Sequence, residues 1–341
     1  DKYICRAMEL GCDVITEKPL TTDEKKAQHI VDTVKNTGRN LRVTFNYRYA
    51  PHNTMMRDLI MKDTIGKVTQ VHFEWLLNTS HGADYFRRWH RDKHNSGGLM
   101  VHKSTHHFDL VNFWLHTKPE TVFALGDLKF YGKANAEARG VQDFYNRAYG
   151  SEAAKKDPFA IHLEDNPQLK AMYLDAEKED GYYRDQSVFG DGISIEDTMN
   201  VIVQYANGAQ MSYSLNAYMP YEGFNVAING EKGRIELHVV ESTYINSGGD
   251  PEKEGVLEGI HLLVYPMHDK PYEVEIPTAE GGHGGGDPVL LNDIFGVPEE
   301  DPYHRAAGYI DGVNSILTGI AANKSMASGL PIHIKDLVDL D

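Results

Sequence analysis

The sequence predicts an α/β start that passes into an α+β body. The start reads as the tail of a doubly wound parallel sheet, and the body as a large, mostly antiparallel sheet domain with flanking helices. Three observations carry this. Residues 1–49 alternate helix-period and strand-period patterns. Beyond Gly66, strand-period runs follow one another with turn signals between them. A late apolar stripe, Tyr309 to Ile320, has helical spacing. With 341 residues, at roughly 150 per domain, the chain divides as 1–50 and 51–341.

The elements follow in order. Ile4, Ala7, Met8 and Leu10 mark a helix that Gly11 stops, and Asp13 to Thr16 reads as a short strand. Thr21 and Glu24 have capping-box spacing ahead of Ala27, Ile30, Val31 and Val34, with Gly38 as the stop. Leu41 to Tyr49 alternates as a strand buried on one face. A short helix from about Pro51 to Met61 leads to Gly66. Strands are expected over Lys67–Leu77, Thr121–Tyr131, Asp197–Tyr205 and Ala209–Tyr218, the last two joined by the hairpin signal Ala206-Asn207-Gly208. Further strands are expected at Phe224–Ile228, Arg234–Leu237, His261–Tyr265 and Tyr272–Ile276. The polar stretch from about Ala134 to Asp191 reads as an excursion of unreadable role. The sequence has no initiating Met and begins inside a helical pattern, so it reads as a chain shortened at its N-terminus.

Lys and Arg number 34 against 50 Asp and Glu, a net charge of −16. That balance argues against nucleic-acid or anionic-membrane partners, which need clustered cations. No run approaches the ~18 apolar residues of a spanning helix. Cys5 and Cys12 supply no disulfide framework.

Four stretches could carry chemistry. Glu17-Lys18-Pro19 ends a strand, where open α/β sheets bind ligands. In Gly97-Gly98 through Asp109, a continuous helix from Leu99 would put His102, His106 and Asp109 on one face, with Lys103 and His107 close by. Imidazoles gathered this way suit proton transfer near neutral pH. A His-x-x-x-His zinc pair is the alternative, though no third ligand is evident. Between His81 and Asn95, Arg88, Trp89 and His90 combine multidentate donors with ring faces suited to sugars. Finally, Gly281 to Asp287, which includes His283, reads as a flexible loop able to cover a pocket. It matches neither G-x-G-x-x-G nor a P-loop, and no dinucleotide fingerprint occurs anywhere in the sequence.

Taken together, Glu17-Lys18-Pro19 with its capped helix, Asn46-Tyr47-Arg48 on the next strand, Gly66-Lys67-Val68, and Gly97-Gly98…His106…Asp109 resemble the glucose–fructose oxidoreductase/inositol dehydrogenase (Gfo/Idh/MocA) family. The order and spacing match over roughly residues 1–125. The resemblance implies a Rossmann remnant over residues 1–50 and a substrate-binding, catalytic domain beyond it. It also implies an NAD(P)-dependent oxidation or reduction at a CH–OH group of a sugar, glycoside or polyol. Lys18 falls on the family lysine that touches nicotinamide and substrate, and Pro19 on a proline often found in cis. His106 falls on the acid/base histidine. His102 stands where the family commonly has Asp, so it would orient the substrate or share the proton with His106. Glu17, Lys18, Pro19 and Asn46 would face the cofactor. Tyr47, Arg48, Arg88, Trp89, His90, Lys103, His107 and His283 would face the substrate.

With no fingerprint for the pyrophosphate, weak or no NAD or NADP binding by this chain is expected. The resemblance further implies a small carbohydrate partner and a homo-oligomer formed through the open sheet. A cytoplasmic location is expected, with periplasmic export left open. The competing readings are an NAD-assisted redox-elimination glycosidase, a sugar-binding or oligomerisation module without catalysis, and a metal hydrolase using His102 and His106.

Overall fold

The computed structural model describes residues 1–242, 259–277, 282–297 and 300–340. Its strands, in chain order, are β1 (Val14–Thr16), β2 (Leu41–Val43), β3 (Val68–Asn78), β4 (Pro119–Asp127), β5 (Thr198–Tyr205) and β6 (Gln210–Met219). They continue with β7 (Glu222–Gly230), β8 (Gly233–Ser242), β9 (Gly259–Pro266), β10 (Tyr272–Glu273), β11 (Ala307–Gly308) and β12 (Ile332–His333). Two sheets result. The small one has the order β1-β2-β11, and the large one runs β10-β9-β8-β7-β3-β6-β5-β4-β12.

In the small sheet β1 and β2 are parallel, as the alternating helix and strand patterns predict, and β11 closes antiparallel onto β2. The Glu24–Thr37 helix between them buries Ala27, Ile30, Val31 and Val34, the predicted stripe. Its cap differs from the expected Thr21–Glu24 box. Asp23 accepts from the Lys26 N–H, a stronger capping arrangement that starts the helix one residue beyond it. The strand expected over Leu41–Tyr49 ends at Val43. Asn46 to Tyr49 coil into a 3₁₀ turn instead, because Tyr47, Arg48 and Tyr49 are all buried and a strand could put only alternate residues inward.

The large sheet alternates cleanly. In β5 and β6 every second residue is buried. Neighbouring strands are antiparallel except β3 and β6, which run parallel through the middle of the sheet. One face packs against the Thr105–Leu115 and Tyr309–Ser328 helices. The other is open and polar: His72 bonds Ser212 at 2.7 Å, and Asn225 donates to Glu74 at 3.0 Å.

Two glycines set the helix positions. A Cβ at Gly82 would lie 1.9 Å from the Ala217 carbonyl oxygen, so the Thr79–Arg87 helix touches β6 there. A Cβ at Gly319 would lie 2.2 Å from the Met100 carbonyl oxygen, where the long helix meets Gly98–His102. Among the described residues no helix is long and apolar enough to cross a membrane. Cys5 and Cys12 are free.

The glycine-rich segment expected to be a loop is helical from Gly282 to Phe295. Gly286 presses on the Asn46 carbonyl, 2.5 Å from where its Cβ would stand, and Asp287 accepts from Asn46 Nδ2 at 2.7 Å. These tertiary contacts hold a glycine-rich stretch helical against its propensity. The side chain of His283 lies outside the described residues.

Candidate active site

The site forms where the carboxyl ends of β1 and β2 meet the helices that follow β3. The Thr44 N–H donates to the Thr16 carbonyl at 3.0 Å, and the Thr44 hydroxyl donates to Glu17 Oε1 at 2.7 Å. Glu17 is thereby tied to the neighbouring strand end, leaving Lys18 to lead into the chain's cis Lys18–Pro19 bond.

The single helix expected from Leu99 is broken. Lys103 N and Ser104 N both bond to the Leu99 carbonyl, at 3.0 and 2.9 Å, which inserts one extra residue before Thr105–Leu115 starts. The Ser104 hydroxyl bonds the Tyr213 hydroxyl at 2.9 Å and holds the break in place. His102, His106 and Asp109 consequently do not share a face. The His102 ring lies against His90, Tyr85 and Trp89, with centroids at 4.1, 5.8 and 6.0 Å. His106 stacks on Tyr47 at 4.4 Å with Phe45 edge-on beyond. Asp109 points the other way, into Arg48.

Lys103 joins the two imidazole groups. It is buried, and its ammonium lies 5.0 Å over the Trp75 ring. Burial by itself would discharge this ammonium. Tyr47, Tyr85, Glu222 and Glu241 outweigh that and hold its pKa above the ordinary lysine range. Glu222 is fixed by His81, whose Nδ1 lies 2.7 Å away. Burial opposes the Glu222 charge, but His81 and Lys103 more than offset it, and its carboxyl titrates below the usual range. His107 is fully buried, stacks on Trp75 at 3.9 Å and bonds the Tyr213 hydroxyl through Nδ1 at 2.7 Å.

The field here is positive. Desolvation, then Arg88 and Lys18 among neighbouring charges, push the His90 pKa down to about 3. Burial, then His90, Lys18, Arg88 and Lys103, push His102 to about 2. His107 is driven well below its ordinary value by burial, Lys103 and Lys18. Lys18 therefore bears on three of the histidines, and these imidazoles are neutral at physiological pH.

Of the residues expected at the site, Lys18, Tyr47, Arg88, Trp89, His90, His102, Lys103, His106 and His107 gather around this cluster. Arg48 does not. It is 2% exposed and bonds both oxygens of Asp109, at 2.7 and 2.5 Å, and Asp311 at 2.9 Å, so it braces the site's walls instead of facing a ligand. Sequence reasoning missed Glu222, Trp75 and Tyr213, which sit on strands far away in the chain, and the Asp84–Arg184 ion pair. Among the described residues no three His, Cys, Asp or Glu side chains gather to hold a metal ion.

A large, mostly antiparallel sheet backed by helices, with a lysine just beyond a strand end and histidines on the facing helices, is a mixed α/β architecture. Residues 57–334 match the family model described as the oxidoreductase family C-terminal alpha/beta domain, GFO_IDH_MocA_C. The chain belongs to the Gfo/Idh/MocA oxidoreductase family. It is similar to the Bacillus subtilis protein named "Putative oxidoreductase YteT", 37% identical over 358 residues, covering 99% of this chain and 79% of that protein. Its fold is similar to that of an aldose-aldose oxidoreductase from Caulobacter crescentus complexed with glycerol (TM-score 0.59, 15% identity, 97% of this chain and 75% of that one). The fold is also similar to that of a levoglucosan dehydrogenase in complex with NADH (TM-score 0.62, 16% identity, 98% and 76%).

Proposed function

We propose that the chain serves the NAD(P)-dependent oxidation or reduction of a CH–OH group on a sugar, glycoside or polyol, with Lys18, His102 and His106 at the reacting carbon. The observation that carries this reading is the gathering of His90, His102 and His107 in one buried corner reached by the charges of Lys18, Arg88 and Lys103, where burial first and those cations second keep the imidazoles neutral. Burial penalises either charge, but the cations among these causes favour an alkoxide where they disfavour an imidazolium, and an oxygen with alkoxide character is what lets hydride leave its carbon.

In this reading Lys18 donates to the substrate oxygen and stabilises its developing charge. His106 takes or returns the hydroxyl proton. His102, a weak base under this field, orients the hydroxyl by hydrogen bonding. Lys103, anchored beside Glu222, holds a second hydroxyl.

The residues at the strand tips suit the nicotinamide end of the cofactor. Among the described residues Asn46 Oδ1 is buried with no hydrogen-bond partner, an acceptor ready for an amide or ribose hydroxyl, and Lys18 follows the neighbouring parallel strand β1. Bound there, nicotinamide would supply the hydride acceptor. The open polar face of the large sheet is the surface we assign to self-association, and residues 1–50 and 51–341 the cofactor-side and substrate-side parts of the chain.

The test is oxidation of a panel of sugars, glycosides and polyols with NAD⁺ or NADP⁺, read as reduced nicotinamide. His106→Ala should lower turnover by about 10²–10⁴-fold. Near-normal turnover in that variant would reject the assignment.

A further inference from the structure

The Thr79–Arg87 helix and the chain just beyond it carry a charge imbalance. Asp84 faces three guanidinium groups: Arg88 Nη1 at 2.8 Å, Arg87 Nη1 at 3.2 Å and Arg184 Nη2 at 2.6 Å. One carboxylate cannot satisfy three such forks. Arg87 directs its Nε to the Phe159 carbonyl at 2.8 Å. Arg184 has no comparable outlet. It is only 8% exposed, yet among the described residues its buried Nε and Nη1 have no hydrogen-bond partner. His90, 2% exposed, likewise has a buried Nδ1 with no partner among the described residues.

These groups are neighbours. The charges of Arg88, Arg184 and Lys18 all act on His90. Guanidinium nitrogens only donate, and a buried donor without an acceptor costs about 1–3 kcal/mol or more. The group that would complete this corner is an anionic acceptor with two oxygens. The chain as a whole carries −16, so this cationic corner is a local feature and does not follow from the general surface field. Trp89, 43% exposed and stacked on the His90 ring at 3.8 Å, gives a flat apolar platform open to solvent beside it, the surface a pyranose ring packs against.

We propose that the substrate carries a carboxylate, as in a hexuronic acid or its glycoside, and that Arg88, Arg184 and His90 receive that carboxylate while the sugar ring lies along Trp89. The proposal deepens the oxidoreductase reading and rests on it for the carbinol chemistry at His102 and His106. The contacts that recognise the acid are separate from those that would move the proton and hydride.

The experiment is a calorimetric titration of the full chain, without cofactor, with methyl α-D-galactopyranosiduronate and, separately, with the neutral methyl α-D-galactopyranoside at low ionic strength. The uronide should bind at least about 10-fold tighter, and the preference should shrink as salt is raised, since partly exposed charges are screened. Arg88→Gln should remove most of the preference, and Arg88→Lys, which keeps the charge and loses the fork, should keep part of it. Arg184→Gln should act in the same direction. Should that buried variant fail to fold, the more exposed Arg88 series carries the result. Equal binding of the two glycosides, no binding of the uronide, or an undiminished preference in Arg88→Gln would overturn the proposal. A uronide that binds with these dependences but is never oxidised with NAD⁺ or NADP⁺ would sink the oxidoreductase reading and leave the carboxylate site standing.

Discussion

Arg48 grips both carboxylate oxygens of Asp109, at 2.7 and 2.5 Å, with neither side chain more than 2% exposed. The pair ties the turn after β2 to the Thr105–Leu115 helix, so it fixes the distance between the strand tips that carry Lys18 and Asn46 and the helix that carries His106. Removing Asp109 leaves the buried Arg48 only the more exposed Asp311 as counter-charge. Asp109→Asn should destabilise the protein by about 3–5 kcal/mol, read as a lowered urea midpoint. A loss under 1 kcal/mol would show that the pair is not a brace.

Gly319 gives a second handle on the same geometry. With Met100's carbonyl 2.2 Å from any Cβ placed there, Gly319→Ala must push the long helix away from Gly98–His102. Overpacking of this kind costs about 1–3 kcal/mol, and because His102 lies on the displaced helix, turnover should fall as well. Denaturant unfolding and steady-state rates, measured together, check both. Wild-type stability in this variant would mean that the helix contact is not as close as described.

The neutral histidines give a pH prediction with a definite sign. His90 and His102, held at about 3 and about 2, stay unprotonated in the folded state well below the ordinary histidine pKa of about 6.5. The unfolded chain takes up those protons as pH falls below about 6.5, so their contribution to stability is whole above that value and is lost progressively toward pH 3. His102→Gln should therefore lose less stability than the wild type between pH 7 and pH 5, as judged by urea midpoints at each pH. An identical loss in both would contradict the depressed value.

Much of the architecture could be read from local pattern. The Ala27–Val34 stripe, the strict alternation of β5 and β6 and the Asn207-Gly208 turn each carry their structure within a dozen residues. The site was legible only in part. Lys18 and the His102–His107 run stand out because strand ends and clustered imidazoles are local signals. The break at Lys103–Ser104 was invisible, since it depends on Tyr213, more than a hundred residues away, offering its hydroxyl to Ser104. Arg48 misled for a similar reason: an arginine in a motif looks available until Asp109 and Asp311 are brought to it. The helix at Gly282–Phe295 runs against local propensity and exists through its packing on Asn46 and its neighbours.

β11, two residues long, lies against β2 although Ala307 and Val43 are 264 positions apart. The Glu24–Lys324 ion pair and the hydrogen bond from Asp339 N–H to the Gln28 side chain stitch the same two ends together. A chain emerging from the ribosome presents β2 well before β11, so the β2 edge that β11 covers waits for the whole large sheet between them, apart from β12, to be translated. Closure of the lysine-bearing corner is thus a late event relative to its first strands. A product released short of residue 307 would carry every proposed proton-handling group and still lack the edge strand that closes their scaffold.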